Sequence, residues 1–396
     1  MDLQNKIKRA AKELAPELVQ IRRHLHSNPE LSFQEYNTVA FVRSELEKLG
    51  INQIKSLAKT GLEVIIEGKN PNKKVVALRA DMDALPIIEA NEVSYKSKNT
   101  GVMHACGHDV HTTCLIGVAK ILNNEKENFE GTIKLIFQPG EEKLPGGASL
   151  MIAEGVLENP NVNAILGQHV MPLLPVGKIG FRSGLYMAST DELYVTIKGK
   201  GGHGAMPHLC IDPVVIAAQM IITLQQLVSR QANPIVPSVL SFGKVIANGA
   251  TNVIPNEVYL EGTFRTLDEK WREKAHELML RTANSIAEGM GASVAFEIRK
   301  GYPFLQNNPE LTDRNKKAAS EYVGSENIID LDIWMAAEDF AYFSQATQAC
   351  FYRLGTRNEA KGITSGVHTP TFDIDEDAIE IGTGLMAYLA IKELGN

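Results

Sequence analysis

The chain has 396 residues, more than one hydrophobic core usually serves, so two domains are expected. Its hydrophobic content of 44%, charged content of 22% and net charge of −7, without long runs of one sign, are typical of a globular protein that does not bind nucleic acid. No segment reaches the roughly 20 apolar residues that cross a bilayer, no apolar leader is evident, and the four cysteines have no disulfide-like spacing. We expect a cytoplasmic protein without a membrane or nucleic-acid partner.

The first half of the chain alternates helices with short apolar strands. Helical periodicity predicts helices over residues 5–27, 34–49 and 110–122. Apolar runs predict strands over residues 62–66, 74–79, 132–138 and 162–168. The runs at 75–78 and 133–137 do not alternate with polar residues, as in strands that are buried on both faces of a parallel sheet. This order predicts a layered α/β core.

The pattern changes after about Tyr186. Alternating apolar residues at 193, 195 and 197 predict a strand, and Asp212 followed by Pro213 predicts the start of a helix. Strand, strand, helix and strand then follow at residues 238–247, 257–266, 267–290 and 293–299. This β-α-β-β-α-β order is typical of a small α+β, ferredoxin-like domain. The α/β character then returns and ends in a helix over 375–394, so residues 187–299 are predicted to be inserted into a domain formed by residues 1–186 and 300–396.

The segment His-Ala-Cys-Gly-His-Asp-Val-His at 104–111 predicts a metal site. Cys106 and His108 can face one point if the backbone turns at Gly107, because glycine lacks the Cβ that disfavours a positive φ. A thiolate and a neutral imidazole together favour a zinc-like transition metal over magnesium or calcium.

Further residues of the ligand type follow predicted strands. Glu141 and Glu142 come just after the strand at 132–138, at the edge where open α/β sheets bind their ligands. Adjacent side chains of extended backbone point to opposite sides, so one glutamate can ligate metal while the other faces a substrate. The other candidates at strand ends, or in the loops beside them, are Asp81, Asp83, His169 and His368. These are too many ligands for one tetrahedral zinc and predict a binuclear centre with metals roughly 3.5–4 Å apart.

These motifs resemble those of the metallopeptidase and aminoacylase family that includes carboxypeptidase G and succinyl-diaminopimelate desuccinylase. The chain is most similar to the amidohydrolase branch, with hippurate hydrolase, N-acetyl-diaminopimelate deacetylase and the IAA-amino acid hydrolases. The matching motifs run from one end of the chain to the other: Arg-Arg-His-Leu-His-Ser-Asn-Pro-Glu at 22–30, Arg-Ala-Asp-Met-Asp-Ala-Leu-Pro at 79–86, His-Ala-Cys-Gly-His-Asp at 104–109, Gln-Pro-Gly-Glu-Glu at 138–142, Gly-Lys-Gly-Gly-His-Gly-Ala-Met-Pro-His at 199–208 and Asn-Val-Ile-Pro at 252–255.

The resemblance implies a zinc-peptidase-like α/β catalytic domain that carries an inserted dimerisation lid, and therefore a homodimer. It implies two divalent metals per subunit, manganese or zinc in the first place and nickel or cobalt as further candidates. The implied ligands are Cys106, His108, Glu142, His169 and His368. Cys106 stands where many relatives have a bridging aspartate.

The resemblance also implies roles for residues that do not ligate metal. Glu141 corresponds to the general base, and Asp83 to a residue that orients a metal-bound imidazole or the base. In relatives, the histidine that matches His203 polarises the substrate carbonyl of the partner subunit. Asn252 and Arg265 match lid residues that contact the substrate, and Arg265 is expected to bind its carboxylate unless it pairs with a surface acid such as Asp268.

The expected activity is hydrolysis of N-acyl amino acids, with an acetyl, benzoyl or similar acyl group, to a carboxylate and a free amino acid. One alternative is a dipeptidase or aminopeptidase on the same scaffold. Another is a metal-dependent binding protein without turnover, against which Glu141 argues because a binder needs no base.

The remaining histidines and cysteines are expected to be structural. His24 and His26 are expected to cap or pack a helix end, His104 and His111 to support the ligands or Asp109, and His276 to be solvated. The cysteines at 114, 210 and 350 are expected to be small apolar fillers.

Overall fold

The computed structural model describes residues 3–395, which form two compact units. The first unit holds the chain up to Tyr186, then Gln306–Ile333 and everything from Asp339 onward. The second unit comprises Met187–Leu305 and Trp334–Glu338.

The chain up to Met187 supplies most strands of the first unit. Its helices are α1 Leu3–Ser27, α2 Tyr36–Lys48, α3 His108–Glu125 and α4 Gly147–Ala153. Its strands are β1 Ile54–Leu57, β2 Gly61–Glu67, β3 Val75–Asp81, β4 Thr132–Gln138, β5 Ala164–Pro175, β6 Ile179–Phe181 and β7 Gly184–Met187.

The middle of the chain forms the second unit. Its strands are β8 Asp191–Lys198, β9 Gly202–His203, β10 Ser238–Ile246, β11 Val253–Ile254, β12 Glu257–Thr266 and β13 Ser293–Lys300. Its helices are α5 Pro213–Gln226 and α6 Glu269–Gly289. The side chain of Asp212 accepts the Val214 N–H and so caps α5, as the sequence predicts.

The rest of the chain completes the first unit. Its strands are β14 Leu305–Asn307, β15 Ile328–Asp330 and β16 Gln348–Arg357. Its helices are α7 Pro309–Val323, α8 Ala341–Ala346 and α9 Asp377–Leu394.

The main sheet of the first unit has the strand order β1-β2-β4-β3-β5-β16-β6-β15. Its four central strands, β4, β3, β5 and β16, are parallel to one another. Their carboxyl ends therefore lie at one edge of the sheet, where ligands bind in open α/β sheets. The predicted α/β class and the parallel pairing of the apolar runs in β3 and β4 are both confirmed.

Helix α3 lies in the core of the first unit, packed between the sheet and the helices α1 and α9. Every residue of α3 from His108 to Leu122 is buried. Leu18 of α1, Val118 of α3 and Leu385 of α9 belong to the same apolar cluster as the strands. A helix that is covered on all sides has a fixed position, and this fixes the residues at its amino end.

The second unit is built on an antiparallel sheet of order β10-β12-β8-β13. Along the chain, the strands of this sheet and the two helices follow in the order β8, α5, β10, β12, α6 and β13. This is the β-α-β-β-α-β order of a ferredoxin-like domain. Leu193, Val195 and Ile197 are fully buried and form its core with residues of both helices.

The boundaries of the second unit differ from the predicted ones. Residues 300–305 and 334–338 belong to it, although the sequence places them in the first domain. The reason is backbone hydrogen bonding: Gly301 N donates to Thr190 O, and Ala188 N donates to Trp334 O. Sequence periodicity does not detect such bonds, because the segments involved form no amphipathic pattern of their own.

Two local predictions are wrong. The strand predicted to end at Gln168 continues to Pro175, so His169 lies within β5 and not at its end, because β16 pairs with β5 beyond that point. His276 is not solvated: its Nε2 lies 2.6 Å from Asp191 Oδ2, and its side chain is 16% exposed. His276 follows Arg272 by one helical turn, and both side chains reach the same buried carboxylate of Asp191.

Candidate metal centre

The candidate residues of the first unit converge at the carboxyl edge of the main sheet. Asp83 follows β3, Glu141 and Glu142 follow β4, and His169 lies within β5. His368 lies in the loop between β16 and α9, where its backbone N–H donates to Ala105 O at 2.7 Å. This bond holds the His368 loop against the 104–108 segment.

Gly107 makes the turn that the sequence predicts between Cys106 and His108. Its φ is +83°, in the left-handed region, and it is the N-cap of α3. A Cβ at Gly107 would lie 2.5 Å from Val170 Cγ2 of β5. Both the conformation and the close approach of β5 therefore require glycine at this position.

The ligand atoms form two groups that share one sulfur atom. In each group, three ligand atoms lie within 4.8 Å of one another. The first group is Cys106, His108 and His169, and the second is Cys106, Glu142 and His368. All five residues that the resemblance implies as ligands are thus brought together, with Cys106 common to both groups.

The two buried histidines present their Nε2 atoms to this locus. His108 Nδ1 lies 2.9 Å from Asp83 O and 3.1 Å from Asp83 Oδ1, and both are acceptors, so Nδ1 carries the proton. His169 Nδ1 likewise lies 2.8 Å from Val170 O, and its Nε2 lies 3.5 Å from Cys106 Sγ. A neutral imidazole with a free Nε2 is the form that ligates metal ions.

Two polar atoms at the locus have no hydrogen bond within the described chain, residues 3–395. They are His108 Nε2 and Glu142 Oε1, both buried. Glu142 Oε1 lies 3.1 Å from His368 Nε2, within ion-pair distance, and 4.0 Å from His108 Nε2. A buried polar atom without a partner, such as His108 Nε2, is costly. A set of one thiol, three imidazoles and one carboxylate with this arrangement fits divalent transition-metal ions.

Asp83 connects two of the ligand-bearing segments. Its Oδ1 accepts from His108 Nδ1, and its Oδ2 accepts from the backbone N–H of Glu142 at 2.9 Å and from Ser32 Oγ at 2.7 Å. Burial alone would raise the pKa of Asp83, but these hydrogen bonds, led by that of His108, lower it below its usual value. Asp83 is therefore a carboxylate that fixes the His108 ring and the start of the Glu142 segment.

The charges at the locus favour a cation. The neighbouring Cys106 and Glu142 raise the pKa of His368 to about 10. Burial, followed by the charge of Arg353, holds the pKa of His169 well below its usual value, so this imidazole is neutral. Burial raises the pKa of the Cys106 thiol, so the carboxylate of Glu142 is the negative group beside His368.

Glu141 is 7% exposed and lies beside His108 and Glu142. Its Oε1 accepts the backbone N–H of Asp339 at 3.4 Å. Asp339 itself accepts hydrogen bonds from Arg79 at 2.8 Å and from Gln138 at 2.7 Å. Glu141 is thus held from a segment almost 200 residues away in the sequence.

The loop that carries both glutamates is also held by Glu35. Glu35 Oε1 accepts the Gly140 N–H at 2.8 Å and the Phe33 N–H at 2.9 Å, and Oε2 accepts the Thr60 hydroxyl at 2.6 Å. A Cβ at Gly140, whose φ is +57°, would lie 2.4 Å from the Phe33 ring. The loop therefore packs closely on the segment that follows α1.

The second unit holds the remaining candidates. His203 is exposed and lies in the short strand β9, which pairs with β11. Its Nδ1 accepts the Ala205 N–H at 3.1 Å, which leaves the proton of a neutral ring on Nε2. Asn252 is exposed.

Arg265 of the second unit is partly buried and donates to Met335 O at 3.3 Å. Among residues 3–395 no carboxylate lies within ion-pair distance of it. Asp268, the acid considered as its alternative partner, instead accepts the Trp271 N–H and caps α6. Burial lowers the pKa of Arg265 from its usual value. A half-buried guanidinium with only a neutral partner can receive an anion.

Sequence reasoning missed two residues around the centre, Glu35 and Asp339. Glu35 accepts three hydrogen bonds at the site, and Asp339 joins Glu141 to Arg79 and Gln138. His111, which the sequence expects to support the ligands or Asp109, binds Asp81 and the backbone of Val170. Asp339 lies in an irregular segment, where no periodicity marks it.

Comparison with known proteins finds a family model and relatives that match most of the chain. The sequence model of peptidase family M20/M25/M40 matches residues 77–392. The chain is 41% identical, over 397 aligned positions covering 99% of both chains, to thermostable carboxypeptidase 2 of Saccharolobus solfataricus. It is 44% identical over 309 residues, covering 78% of this chain and 83% of the other, to an N-acyl-L-amino acid amidohydrolase of Geobacillus stearothermophilus.

A solved structure also matches nearly the whole chain. The crystal structure of the YxeP protein of Bacillus subtilis, described as a dinuclear metal-binding peptidase of the M20 family, matches with a TM-score of 0.80 and 37% identity. The match covers 97% of this chain and 99% of that one. Within residues 3–395, no helix combines the length and apolar character needed to cross a membrane.

Proposed function

The chain belongs to peptidase family M20/M25/M40, a family of metal-dependent hydrolases, and from that premise we propose that it hydrolyses the amide bond of N-acyl amino acids. The products are a carboxylate and a free amino acid. Membership in the family confirms the resemblance that the sequence motifs carry.

The observation that carries the proposal is the pair of ligand groups that share Cys106, with Glu141 beside them. A bridging ligand between two three-atom groups supports a binuclear centre, and a carboxylate adjacent to it supports hydrolysis over binding alone.

We propose that Cys106, His108 and His169 hold one divalent ion, and that Cys106, Glu142 and His368 hold the other. Divalent ions held there supply Lewis acidity, which polarises a carbonyl and lowers the pKa of water toward neutrality. Manganese and zinc are the first candidates, and the thiolate favours zinc, cobalt or nickel over magnesium.

Glu141 accepts the proton of the attacking water and gives it to the leaving amine as the amide bond breaks. The Asp339 N–H donates a hydrogen bond that holds the Glu141 carboxylate beside the ligand groups. One residue thus acts first as base and then as acid.

Residues of the second unit bind the substrate in this proposal. Arg265 pairs with the α-carboxylate through its planar fork of donors, assisted by Asn252. His203 donates from Nε2 to the carbonyl oxygen of a substrate held by the partner subunit of a homodimer, so that it stabilises the charge that develops there.

A second candidate is a carboxypeptidase that acts on short peptides. The relative named carboxypeptidase 2 favours it, since that relative matches over the whole chain. Both substrate classes place a free carboxylate beside the scissile amide, and they differ at the acyl side, which carries a charged amine only in a dipeptide.

A substrate panel on chelated enzyme with metals added back separates the candidates. Acetyl- and benzoyl-amino acids should be hydrolysed faster than dipeptides that have the same carboxyl-terminal residue. Faster cleavage of dipeptides would favour the peptidase, and metal-independent turnover of either class would refute the proposal.

A further inference from the structure

Val170 is the point at which three elements of the centre meet. Its side chain packs against Gly107, the turn between Cys106 and His108. Its carbonyl oxygen accepts from His169 Nδ1 at 2.8 Å, and its backbone N–H donates to His111 Nε2 at 2.9 Å. Any shift of Val170 therefore moves the His169 ring and the Gly107 turn together.

The sheet itself does not hold this residue on the β3 side. The ladder between β3 and β5 ends at Arg79 and Gly167. Beyond that point the N–H of Val170 has a side-chain acceptor, His111, in place of a strand. His111 comes from the first turn of α3, one turn after His108, and is 2% exposed.

The partners of His111 assign the proton on its ring. The Val170 N–H can only donate, so His111 Nε2 accepts and carries no proton. The ring proton is then on Nδ1, which donates to Asp81 Oδ1 at 2.5 Å. Asp81 is held in turn by Arg79, whose Nη1 lies 2.6 Å from Asp81 Oδ2.

The contacts form one continuous series of hydrogen bonds. Arg79 orients Asp81, Asp81 orients His111, and His111 fixes the backbone of Val170. Val170 in turn fixes the ring of His169, so that its Nε2 faces Cys106 Sγ. A ligand held in its binding orientation binds metal more tightly than one that must first be ordered.

We infer that His111 is a positioning residue for the metal centre, acting on His169 and on the Gly107 turn through the backbone of Val170. The inference rests on the proposed ligand role of His169 and Cys106. The contact that positions the centre is the hydrogen bond that His111 Nε2 accepts from the Val170 N–H. The hydrogen bond from His111 Nδ1 to Asp81 orients the ring for this contact.

Two amide variants separate the two ends of the ring, because each reproduces one ring nitrogen position. In His111→Asn the amide nitrogen takes the place of Nδ1, so the Asp81 bond is kept and the acceptor for Val170 is lost. In His111→Gln the amide oxygen takes the place of Nε2, so the Val170 bond is kept and the Asp81 donor is lost. Thr113→Val is the matched control: Thr113 is buried in the same turn of α3, and its hydroxyl makes no hydrogen bond within residues 3–395.

The experiment titrates each chelated apoprotein with Co²⁺ and records the thiolate-to-cobalt and d–d absorption bands. We expect His111→Asn to bind Co²⁺ about tenfold or more weakly than the wild type and to show altered d–d bands. His111→Gln should recover most of the affinity, and Thr113→Val should match the wild type. Unaltered binding by His111→Asn, or no recovery in His111→Gln, would overturn the inference.

A measurement on the wild-type apoprotein covers the case in which a variant does not fold. In ¹⁵N-histidine-labelled protein at neutral pH, His111 and His169 should both appear as neutral rings protonated at Nδ1, and an Nε2-protonated His111 would refute the hydrogen-bond assignment. The proposed function fails separately, if wild-type protein that binds two Co²⁺ hydrolyses no acyl amino acid. Wild-type protein that binds no Co²⁺ would overturn both.

Discussion

Glu141 and Glu142 are adjacent in the chain and have different partners. Glu142 lies with Cys106 and His368 in one ligand group, whereas Glu141 accepts a hydrogen bond from the Asp339 backbone. Both residues lie in the turn after β4, and a ligand atom of each lies within 4.8 Å of the other and of His108, so their different partners, not a separation in space, distinguish them.

We expect Glu141→Gln to lower kcat by about a hundredfold or more with its metal content unchanged, since an amide cannot accept a proton. Glu142→Gln should lose metal and activity together. Steady-state kinetics and elemental analysis of the same preparations test both. If the two phenotypes are exchanged, the roles of the glutamates are the reverse of those proposed.

Arg265 should distinguish substrates by their carboxylate. Arg265→Lys keeps the charge but not the planar fork, so kcat/KM for acyl amino acids should fall by about 1.5–3 kcal/mol, the range for a charged hydrogen bond. The corresponding amides, already poor substrates, should lose little. Arg299→Lys is the control, because Arg299 is an exposed arginine of the same unit that pairs with Glu297. An equal loss on acids and amides would show that Arg265 only supports the fold.

At the residue scale, sequence identifies groups whose chemistry is unusual in its own segment. Cys106, His108 and the paired glutamates stand out because ligand-type residues are clustered around a glycine or at a strand end. Glu35 and Asp339 do not stand out, because each acts through contacts with segments distant in sequence. Their roles depend on the tertiary structure, which periodicity and spacing do not encode.

Among the elements, the loop after β4 is held by residues that lie far from it in the sequence. Glu35 accepts three hydrogen bonds, one of them from Gly140 of this loop. Burial nevertheless raises the pKa of Glu35 to about 7, with the neighbouring Asp83 carboxylate as a further cause that raises it. Ionised Glu35 is thus less stable in the fold than in the unfolded chain.

This gives a pH dependence of stability with a definite sign. The folded-state pKa, about 7, lies above the ordinary value of 4.5, so the contribution of Glu35 is complete below pH 4.5 and is lost as the pH rises through 7. Relative to the wild type, Glu35→Gln apoprotein should therefore gain stability across this window, on the order of 3 kcal/mol in all. Urea unfolding of chelated protein at several pH values measures it, with the exposed Glu127→Gln as the control for a lost charge. A difference that does not change with pH would contradict the prediction.

Element boundaries show where sequence patterns stop being informative. The apolar core of β5 is readable, but its extension through His169 to Pro175 depends on pairing with β16, which is nearly 200 residues away. Gln168 and His169 are polar, so the sequence pattern predicts that the strand ends there. Both are buried, and β16 continues to pair with β5 beyond them. Pairing partners determine strand length more than local composition does.

At the scale of the whole molecule, the insertion of one domain into another is visible in the order of elements. An α/β pattern that stops near Tyr186 and resumes after residue 300 is explained by an inserted unit with its own apolar core. Residues 334–338 also belong to that unit, but no sequence pattern marks them, because they join it through backbone hydrogen bonds.

The last prediction concerns two copies of the chain. If His203 of one subunit donates to a substrate held by the other, a dimer of His203→Ala and Glu141→Ala subunits contains one complete site. Random exchange of two inactive homodimers should then restore about a quarter of the wild-type activity, because half of the dimers are mixed and each of these has one working site of two. Native mass spectrometry verifies the exchange, and exchange between two differently tagged Glu141→Ala preparations is the control that should stay inactive. Verified mixed dimers without activity would place the His203 donor in its own subunit or outside the reaction.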